Sequence, residues 1–460
     1  MSRLIVISNR VSAATGGKKG AQGGLAVALS AALSEMGGIW FGWSGEQTDE
    51  FTGQITMQRE GGFTTATVDL EEQDIEEYYN GYANRTLWPL FHYRIDLAEY
   101  ERGYAGGYQR TNERFADTVR PLIEDDDAVW VQDYHMIPLG AELRNRGVHN
   151  RIGFFLHTPW PPRRLLSTLP EAKDLVETMF AYDVIGFHTE EWLQSFSDFA
   201  TLEMGARAEG DFLHFRNRRV RMLVCPIGID AEEFRTLSQG DTARQTYEQM
   251  MRSANGRSMI VGVDRLDYSK GLEERFLGYE RFLLEHPEER RGVFLLQIAP
   301  PSRASVDSYQ RIRASLEKLS GHINGALADL DWVPLRYVNE GYPRDVLAGV
   351  YRASSIGLVT PLRDGMNLVA KEYIAAQDPE DPGVLILSRF TGAAAQMTEA
   401  ILINPHSAEE ISDAIGRALK MPREERIRRW KALMEGVQRE DVIWWRQRFT
   451  DALFEVPVAA

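Results

Sequence analysis

The sequence predicts an α/β chain made of two doubly wound parallel-sheet domains facing across a cleft, with a C-terminal helix packing back on the N-terminal domain. Three observations carry the prediction. The chain has 460 residues, more than one ordinary hydrophobic core holds. Short β-branched runs alternate with longer helical patterns, as in parallel sheets covered by helices on both faces. That alternation runs through the chain twice.

In the first half, strands are expected at Leu4–Ser8, Val129–Gln132, Ile152–Leu156, Val184–Phe187 and Val220–Cys225, with helices such as Gly24–Met36 and Tyr108–Leu122 between them. In the second half they are expected at Met259–Val263, Val293–Ile298, Leu335–Val338, Ile356–Val359, Val384–Leu387 and Ala400–Ile403. The polar, helix-compatible stretch Ala231–Gly256 has few large apolar residues and marks the boundary, giving domains at 1–235 and 236–440. From Pro422 to Phe454 the pattern is helical and carries Trp430, Trp444 and Trp445, more aromatic surface than an exposed tail keeps. Residues 441–460 are expected to return to the N-terminal domain.

Composition narrows the function. The 52 Lys+Arg against 67 Asp+Glu give a net charge of −15, which repels nucleic acid and anionic membranes. An anionic substrate therefore needs a local basic cluster. The one cysteine, Cys225, rules out a disulfide framework and a thiolate metal cage, and its apolar neighbours suggest a buried strand thiol. The apolar run before Ser8 is too short for a signal peptide, and no stretch nears the roughly 18–20 apolar residues of a membrane span. A cytoplasmic location is expected.

Ligands of open parallel sheets bind beyond the carboxyl ends of the strands, where helix N-termini converge. Polar residues directly after apolar runs are Asn9-Arg10, Asp133-Tyr134-His135, His157 and His188, then Asp264-Arg265, Arg303 and Arg363-Asp364. Gly23-Gly24 opens an apolar helix and lets backbone approach a diphosphate or sugar, although the same pair also makes ordinary turns. The run from Val263 to Leu272 sets the cations Arg265 and Lys270 five residues apart, suited to a departing diphosphate. A surface salt-bridge patch of Asp264, Arg265 and Asp267 is the alternative.

The segment Pro361–Glu372 reads as strand, tight glycine loop and helix. An exposed helix end favours an anion by only about 0.3–1 kcal/mol, so cations must supply the rest. Glu372 is within reach of a ribose diol and Asp364 of sugar hydroxyls; alternatively Glu372 pairs with Lys371 or an arginine in solvent.

Metal-dependent sugar transfer normally uses an Asp-x-Asp pair. Asp329-Leu330-Asp331 has that form but lies in a loop-like context before Trp332, and is read as surface. Asp125-Asp126-Asp127 reads as a solvated turn. His135, His157 and His188 come from different strands without metal-ligand spacing. No metal site and no cofactor are expected. The chain has neither a G-x-S-x-G elbow nor a Walker loop, which argues against serine-based and ATP-driven chemistry.

Several further segments join these: Ser8-Asn9-Arg10, Gly23-Gly24-Leu25, Trp40-Phe41-Gly42-Trp43-Ser44-Gly45, Glu77-Tyr78-Tyr79-Asn80, Leu87-Trp88-Pro89, Phe91-His92-Tyr93-Arg94, Ile298-Ala299-Pro300 and Ser302-Arg303. With Asp133-Tyr134-His135, Val263–Leu272 and Pro361–Glu372, they cover nearly the whole chain. Together they resemble the bacterial trehalose-6-phosphate synthases of retaining glycosyltransferase family 20, which share the GT-B architecture of two Rossmann-like domains.

The resemblance implies a transfer of glucose from a nucleotide-glucose, UDP-glucose first among the choices, to glucose 6-phosphate. The configuration is retained and no metal is required, in trehalose biosynthesis and osmoprotection. It implies that Arg10, Tyr79, Asp133 and Arg303 hold the acceptor, with Arg10, Tyr79 and Arg303 on its phosphate. Guanidinium forks suit a phosphate better than a point ammonium. For the donor it implies Gly23 and Gly24 at the sugar-diphosphate, Arg265 and Lys270 on the phosphates, and Leu368, Val369, Ala370, Lys371 and Glu372 along the nucleoside and diphosphate. Tyr342 matches the position whose backbone meets the base. Asp364 and His157 contact the transferred glucose, while Trp88 and Thr158 shape the acceptor pocket and its anomer choice. The residues implied at the reacting centre are Asp133, His157, Arg265, Lys270 and Asp364.

In that scheme the leaving diphosphate takes the acceptor proton, and no conventional general base is needed. The loop Val11–Gln22, Trp160 where Phe is frequent and Tyr342 where Phe is usual depart from common family forms; they bear on acceptor stringency and base preference. No phosphatase module is expected after residue 460. The implied partners are the two small-molecule substrates, with no nucleic acid or membrane, in a homotetramer or homodimer. Two rival readings are a synthase that glucosylates glycerol 3-phosphate and a non-catalytic sugar-phosphate sensor.

Overall fold

The computed structural model describes residues 3–11, 26, 29–30, 33–34, 37–303 and 306–455. Among these, the chain forms two compact units, which meet in sequence at Pro226/Ile227 and again at Val442/Ile443. The first unit holds the residues up to Pro226 and those from Ile443; the second runs from Ile227 to Val442.

The first unit is built on β1 (Leu4–Arg10), β2 (Gly38–Thr48), β3 (Thr56–Glu60), β4 (Phe63–Glu71), β5 (Ala128–Gln132), β6 (Ile152–Phe155), β7 (Val184–Phe187), β8 (Arg207–Glu209), β9 (Phe212–Phe215) and β10 (Arg218–Val224). They form one sheet in the order β3-β4-β2-β1-β5-β6-β7-β10-β9-β8. The strands from β4 to β10 in that order are parallel, and antiparallel β3 and the β8–β9 ribbon extend the edges. In β1, Leu4, Ile5, Val6 and Ile7 are all fully buried, as in a strand covered on both faces.

The sequence reading lacked β2, β3, β4, β8 and β9. Glycine is depleted in strands, and Gly42 and Gly45 interrupt the run of β2. Gly42 is required by proximity: a Cβ there would stand 2.2 Å from the Ser8 carbonyl oxygen of β1.

The second unit is built on β11 (Ser258–Val263), β12 (Val293–Ile298), β13 (Leu335–Val338), β14 (Ile356–Val359), β15 (Val384–Ser388) and β16 (Ile401–Ile403). Its sheet is wholly parallel, in the order β13-β12-β11-β14-β15-β16. Each strand lies within one residue of its sequence expectation, because most are nearly unbroken apolar runs.

The stretch Ala231–Gly256, read as the domain boundary, instead forms the helices Ala231–Gln239 and Asp241–Ala254 of the second unit. Of its few large apolar side chains, Phe234 is fully buried and lies 6.3 Å from the Tyr351 ring. The segment after Pro422 is two helices. Arg423–Arg439 belongs to the second unit, where the Trp430 indole donates to the Ile374 carbonyl. In Val442–Glu455, the residues from Ile443 belong to the first unit, with Trp445 and Phe449 packed on Trp130 at 4.9 and 4.6 Å. Cys225, one residue past β10, is buried with its thiol on the Trp445 carbonyl. Among the described residues no helix is long and apolar enough to cross a membrane.

In each sheet the chain first builds outward from its opening strand and then crosses to the other side. The strand order therefore reverses between β1 and β5, and between β11 and β14. Those reversals open the crevices in which doubly wound sheets bind ligands.

Candidate active site

At the first reversal, Arg10 ends β1 with its guanidinium 5.4 Å from the centroid of the Trp43 ring. It also lies against Gly45, where a Cβ would stand 2.1 Å from Nη2, so only glycine lets the side chain occupy this position. Trp43 meets Tyr79 edge-on at 5.5 Å, and Tyr79 stacks on His135 at 6.0 Å and 15°. Tyr79 comes from Ile75–Leu87, a π-helix whose final bond joins the Trp88 N–H to the Ala83 carbonyl five residues back. Its buried neighbour Tyr78 donates to Asn9 Oδ1 at 2.7 Å, fixing this helix on the end of β1.

Asp133, just past β5, adopts φ +70°, unusual for a residue with a Cβ. Its N–H bonds the Phe155 carbonyl at 2.8 Å, and its carboxylate accepts the His157 N–H at 3.1 Å. The His157 ring, partly open to solvent, packs against Phe155, His188 and Trp445, and desolvation holds its pKa down to about 3. The ring is therefore neutral at physiological pH. In the assigned orientation its Nε2–H donates to Gln132 Oε1 at 2.9 Å, leaving Nδ1 as an acceptor. Trp88 is buried 4.0 Å from the His92 ring and 5.7 Å from Tyr134. The Thr158 hydroxyl, also buried, meets no hydrogen-bond partner among the described residues.

At the second reversal, the loop after β11 meets the loop after β14. The Leu362 N–H bonds the Ser269 carbonyl at 2.8 Å, and Gly271, at φ +61°, lets the backbones close where a Cβ would stand 2.2 Å from the Thr360 oxygen. Lys270 is buried there with Nζ 2.6 Å from Asp364 Oδ2. The same carboxylate accepts the Asn367 amide at 3.0 Å and the Gly365 N–H at 2.9 Å. Asn367, at φ +67°, caps the helix Leu368–Ala376 by accepting the Ala370 N–H. The N–H groups of Leu368 and Val369 thus begin the helix ahead of its internal ladder.

The surface-patch alternative for Asp264, Arg265 and Asp267 fails, since both carboxylates are buried. Asp264 accepts Arg275 Nη1 at 2.7 Å, in a network with Gln297 and Thr360 beneath the sheet end. Burial raises the Asp264 pKa against the pull of Arg275. Arg265 is exposed at the loop tip. Arg303, at φ +48°, is held on Asp267 and Tyr309.

Pairing of Glu372 with Lys371 in solvent fails as well. Lys371 is buried and donates to the Ile227 carbonyl at 2.8 Å, and burial lowers its pKa to about 7. Its amine is thus engaged in the core, leaving the backbone for any donor contact. Glu372 is half-buried, and desolvation raises its pKa to about 7, with Arg344 opposing and Glu233 adding to the shift. Tyr342 is half-buried just ahead of the helix Arg344–Ala353. Gly23 and Gly24 lie outside the described residues.

Asp329 and Asp331 flank the tip of a turn, bridged to Trp332, with Asp329 ion-paired to Arg291 and Leu330 fully exposed. Among the described residues no group of three His, Cys, Asp or Glu is arranged to hold a metal ion.

The sequence reading assigned no role to the residues that seat these groups: Trp43 and Gly45 for Arg10, Gln132 for His157, Asn367 for Asp364, and Tyr309 for Arg303. Gln132 and Asn367 adjoin the apolar runs and carried a positional signal. Tyr309 carried none, because only the fold brings its helix back to the loop after β11.

The profile of glycosyltransferase family 20 matches residues 3–455. The trehalose-6-phosphate synthase of Sinorhizobium fredii is 47% identical, over 98% of this chain and 98% of its own. The crystal structure of a UDP-forming α,α-trehalose-phosphate synthase from Burkholderia xenovorans in complex with glucose-6-phosphate is 45% identical. It superposes with a TM-score of 0.95 over 98% of this chain and 100% of that one. An E. coli structure bound with UDP-2-fluoro glucose is 42% identical with a TM-score of 0.95, covering both chains fully. Sequence and fold agree along the whole length, and the chain belongs to glycosyltransferase family 20.

Proposed function

We propose that this glycosyltransferase is a UDP-forming trehalose-6-phosphate synthase, moving glucose from UDP-glucose to glucose 6-phosphate with retention and without a metal ion. The observation that carries the reading is the buried Lys270 ammonium on Asp364, beside the open first turn of Leu368–Ala376. It offers an anion a cation and free N–H groups together, and it offers a sugar a charged acceptor. Full-length similarity to structures bound with glucose-6-phosphate and with UDP-2-fluoro glucose supports the choice of substrates.

In this reading the bond from glucose C1 to the β-phosphate oxygen breaks, and its electron pair leaves with UDP. The anomeric oxygen of glucose 6-phosphate bonds to C1 on the same face, and its proton passes to the departing phosphate. Arg265 and Lys270 stabilise the charge growing on the diphosphate, which is the usual role of a metal ion. Asp364 and neutral His157 orient the transferred glucose. Arg10, Tyr79 and Arg303 hold the acceptor phosphate, Asp133 its sugar, and Trp88 with Thr158 select its anomer. Gly23, Gly24, Tyr342 and Leu368–Glu372 receive the nucleotide sugar. We also read the enzyme as cytoplasmic and as a homotetramer or homodimer, which light scattering measures.

The test is release of nucleotide from UDP-, GDP- and ADP-glucose with glucose 6-phosphate or glycerol 3-phosphate as acceptor. UDP release driven by glucose 6-phosphate, with an α,α-linked product by NMR, is expected. Preference for glycerol 3-phosphate would replace this reading with its nearest rival.

A further inference from the structure

Arg303 occupies a left-handed backbone conformation that residues with a Cβ seldom adopt, so its surroundings must hold it there. The loop that carries it is tied to the loop after β11. The Asp264 N–H bonds the Ile298 carbonyl at 3.1 Å, the Leu266 N–H bonds the Pro300 carbonyl at 2.9 Å, and the Ser302 hydroxyl donates to the Leu266 carbonyl at 3.1 Å. At the end of this seam the side chains close a triangle. Arg303 Nη1 donates to Asp267 Oδ2 at 3.3 Å and to the Tyr309 hydroxyl, which itself donates to the same Oδ2 at 3.0 Å. Asp267 is fully buried and Tyr309 nearly so, and the other Asp267 oxygen accepts the Ser269 N–H at 2.9 Å.

Asp267 lies in the same short loop as Arg265 and Lys270, the cations assigned to the donor diphosphate. We propose that Asp267 and Tyr309 are positioning residues that aim Arg303 at the acceptor phosphate and tie its orientation to the donor loop. The inference rests on the reading of Arg303 as an acceptor-phosphate ligand. The physical ground is that a guanidinium on a long chain loses rotamer freedom when it clamps a phosphate. Two partners that fix one Nη beforehand remove that cost. Tyr309 contributes chiefly through its hydroxyl, since its ring sits edge-on to Tyr268 at 5.3 Å in packing that phenylalanine would keep.

The experiment compares Tyr309→Phe, Asp267→Asn and Arg303→Ala with the parent enzyme, using glucose 6-phosphate and unphosphorylated glucose as acceptors and titrating UDP by calorimetry. For Tyr309→Phe, the preference in kcat/KM for glucose 6-phosphate over glucose is expected to fall about tenfold, through KM, the scale of one hydrogen bond to a charged group. UDP affinity is expected to stay at the parent value. Adding Tyr309→Phe to Arg303→Ala is expected to cost nothing more, since the hydroxyl acts through the guanidinium.

Equal loss with both acceptors, or weakened UDP binding in parallel, would make Tyr309 a merely structural residue and overturn the proposal. If Arg303→Ala raises the KM for glucose 6-phosphate while Tyr309→Phe and Asp267→Asn do not, the positioning role alone falls. If Arg303→Ala leaves that KM unchanged, the assignment of Arg303 falls and takes the inference with it. Should Tyr309→Phe fail to fold, Asp267→Asn decides by the same ratio.

Discussion

Lys270 and Asp364, 94 residues apart in the chain, form a 2.6 Å ion pair buried where the ends of β11 and β14 diverge. Two loops from neighbouring strands thus present opposite charges at one point.

Lys270→Ala is expected to lower kcat about 100- to 1,000-fold, the usual cost of losing one donor aimed at developing charge. It also leaves Asp364 buried without its cation, where breaking a buried pair costs about 3–5 kcal/mol. The Asn367 amide and the Gly365 N–H remain on that carboxylate, so the low end, about 3 kcal/mol, is expected. Steady-state kinetics and urea unfolding measure the two effects separately.

Glu372 predicts a pH dependence. Burial raises its pKa from 4.5 to about 7. In the proposed reading a ribose diol donates to the ionised carboxylate, so UDP-glucose affinity is expected to fall as pH drops through about 7 and to lose that dependence in Glu372→Gln. Calorimetric titration of UDP-glucose at a series of pH values checks this.

The same shift has a sign for stability. Between pH 4.5 and about 7 the folded protein keeps a proton that the unfolded chain has released, so this group's contribution is present at low pH and lost as pH rises through about 7. Glu372→Gln is therefore expected to stabilise the protein more at pH 8 than at pH 5, as read from urea midpoints.

Gly271→Ala is expected to cost about 1–3 kcal/mol, because alanine must adopt the left-handed conformation and its Cβ would meet the Thr360 oxygen. Since Gly271 follows Lys270, kcat is expected to fall in the fraction that remains folded. Thermal unfolding together with active-site-normalised kinetics separates the two.

Metal independence is the remaining test. Chelation with EDTA is expected to leave turnover unchanged, since the proposed mechanism gives the charge stabilisation to Arg265 and Lys270. Loss of activity restored by magnesium would overturn that assignment.

The strands of the second sheet were legible almost to the residue, because its central strands are buried on both faces and read as continuous apolar runs. The edge of the first sheet was not. Glycines and tryptophans interrupt β2, threonines alternate through β4, and β3 is mostly polar and exposed, so none of the three reads as a β-branched apolar run. The expected boundary at 235/236 lies about ten residues past the division at Pro226/Ile227, because Ala231–Gly256 is mostly polar helix surface, anchored by one buried ring, Phe234.

The sequence by itself determined the chemistry on offer: cations after β1, β11 and β12, a glycine loop before a helix, and an apolar rhythm that folds into two sheets. Only the tertiary structure decided which groups meet. It paired Lys270 with Asp364 rather than leaving both to solvent, buried Asp264 on Arg275, turned Lys371 onto a backbone carbonyl, and set Arg303 on Asp267 and Tyr309. Partner choice depends on distances across strands far apart in the chain, and burial on how those strands pack. Neither quantity is written in local residue order.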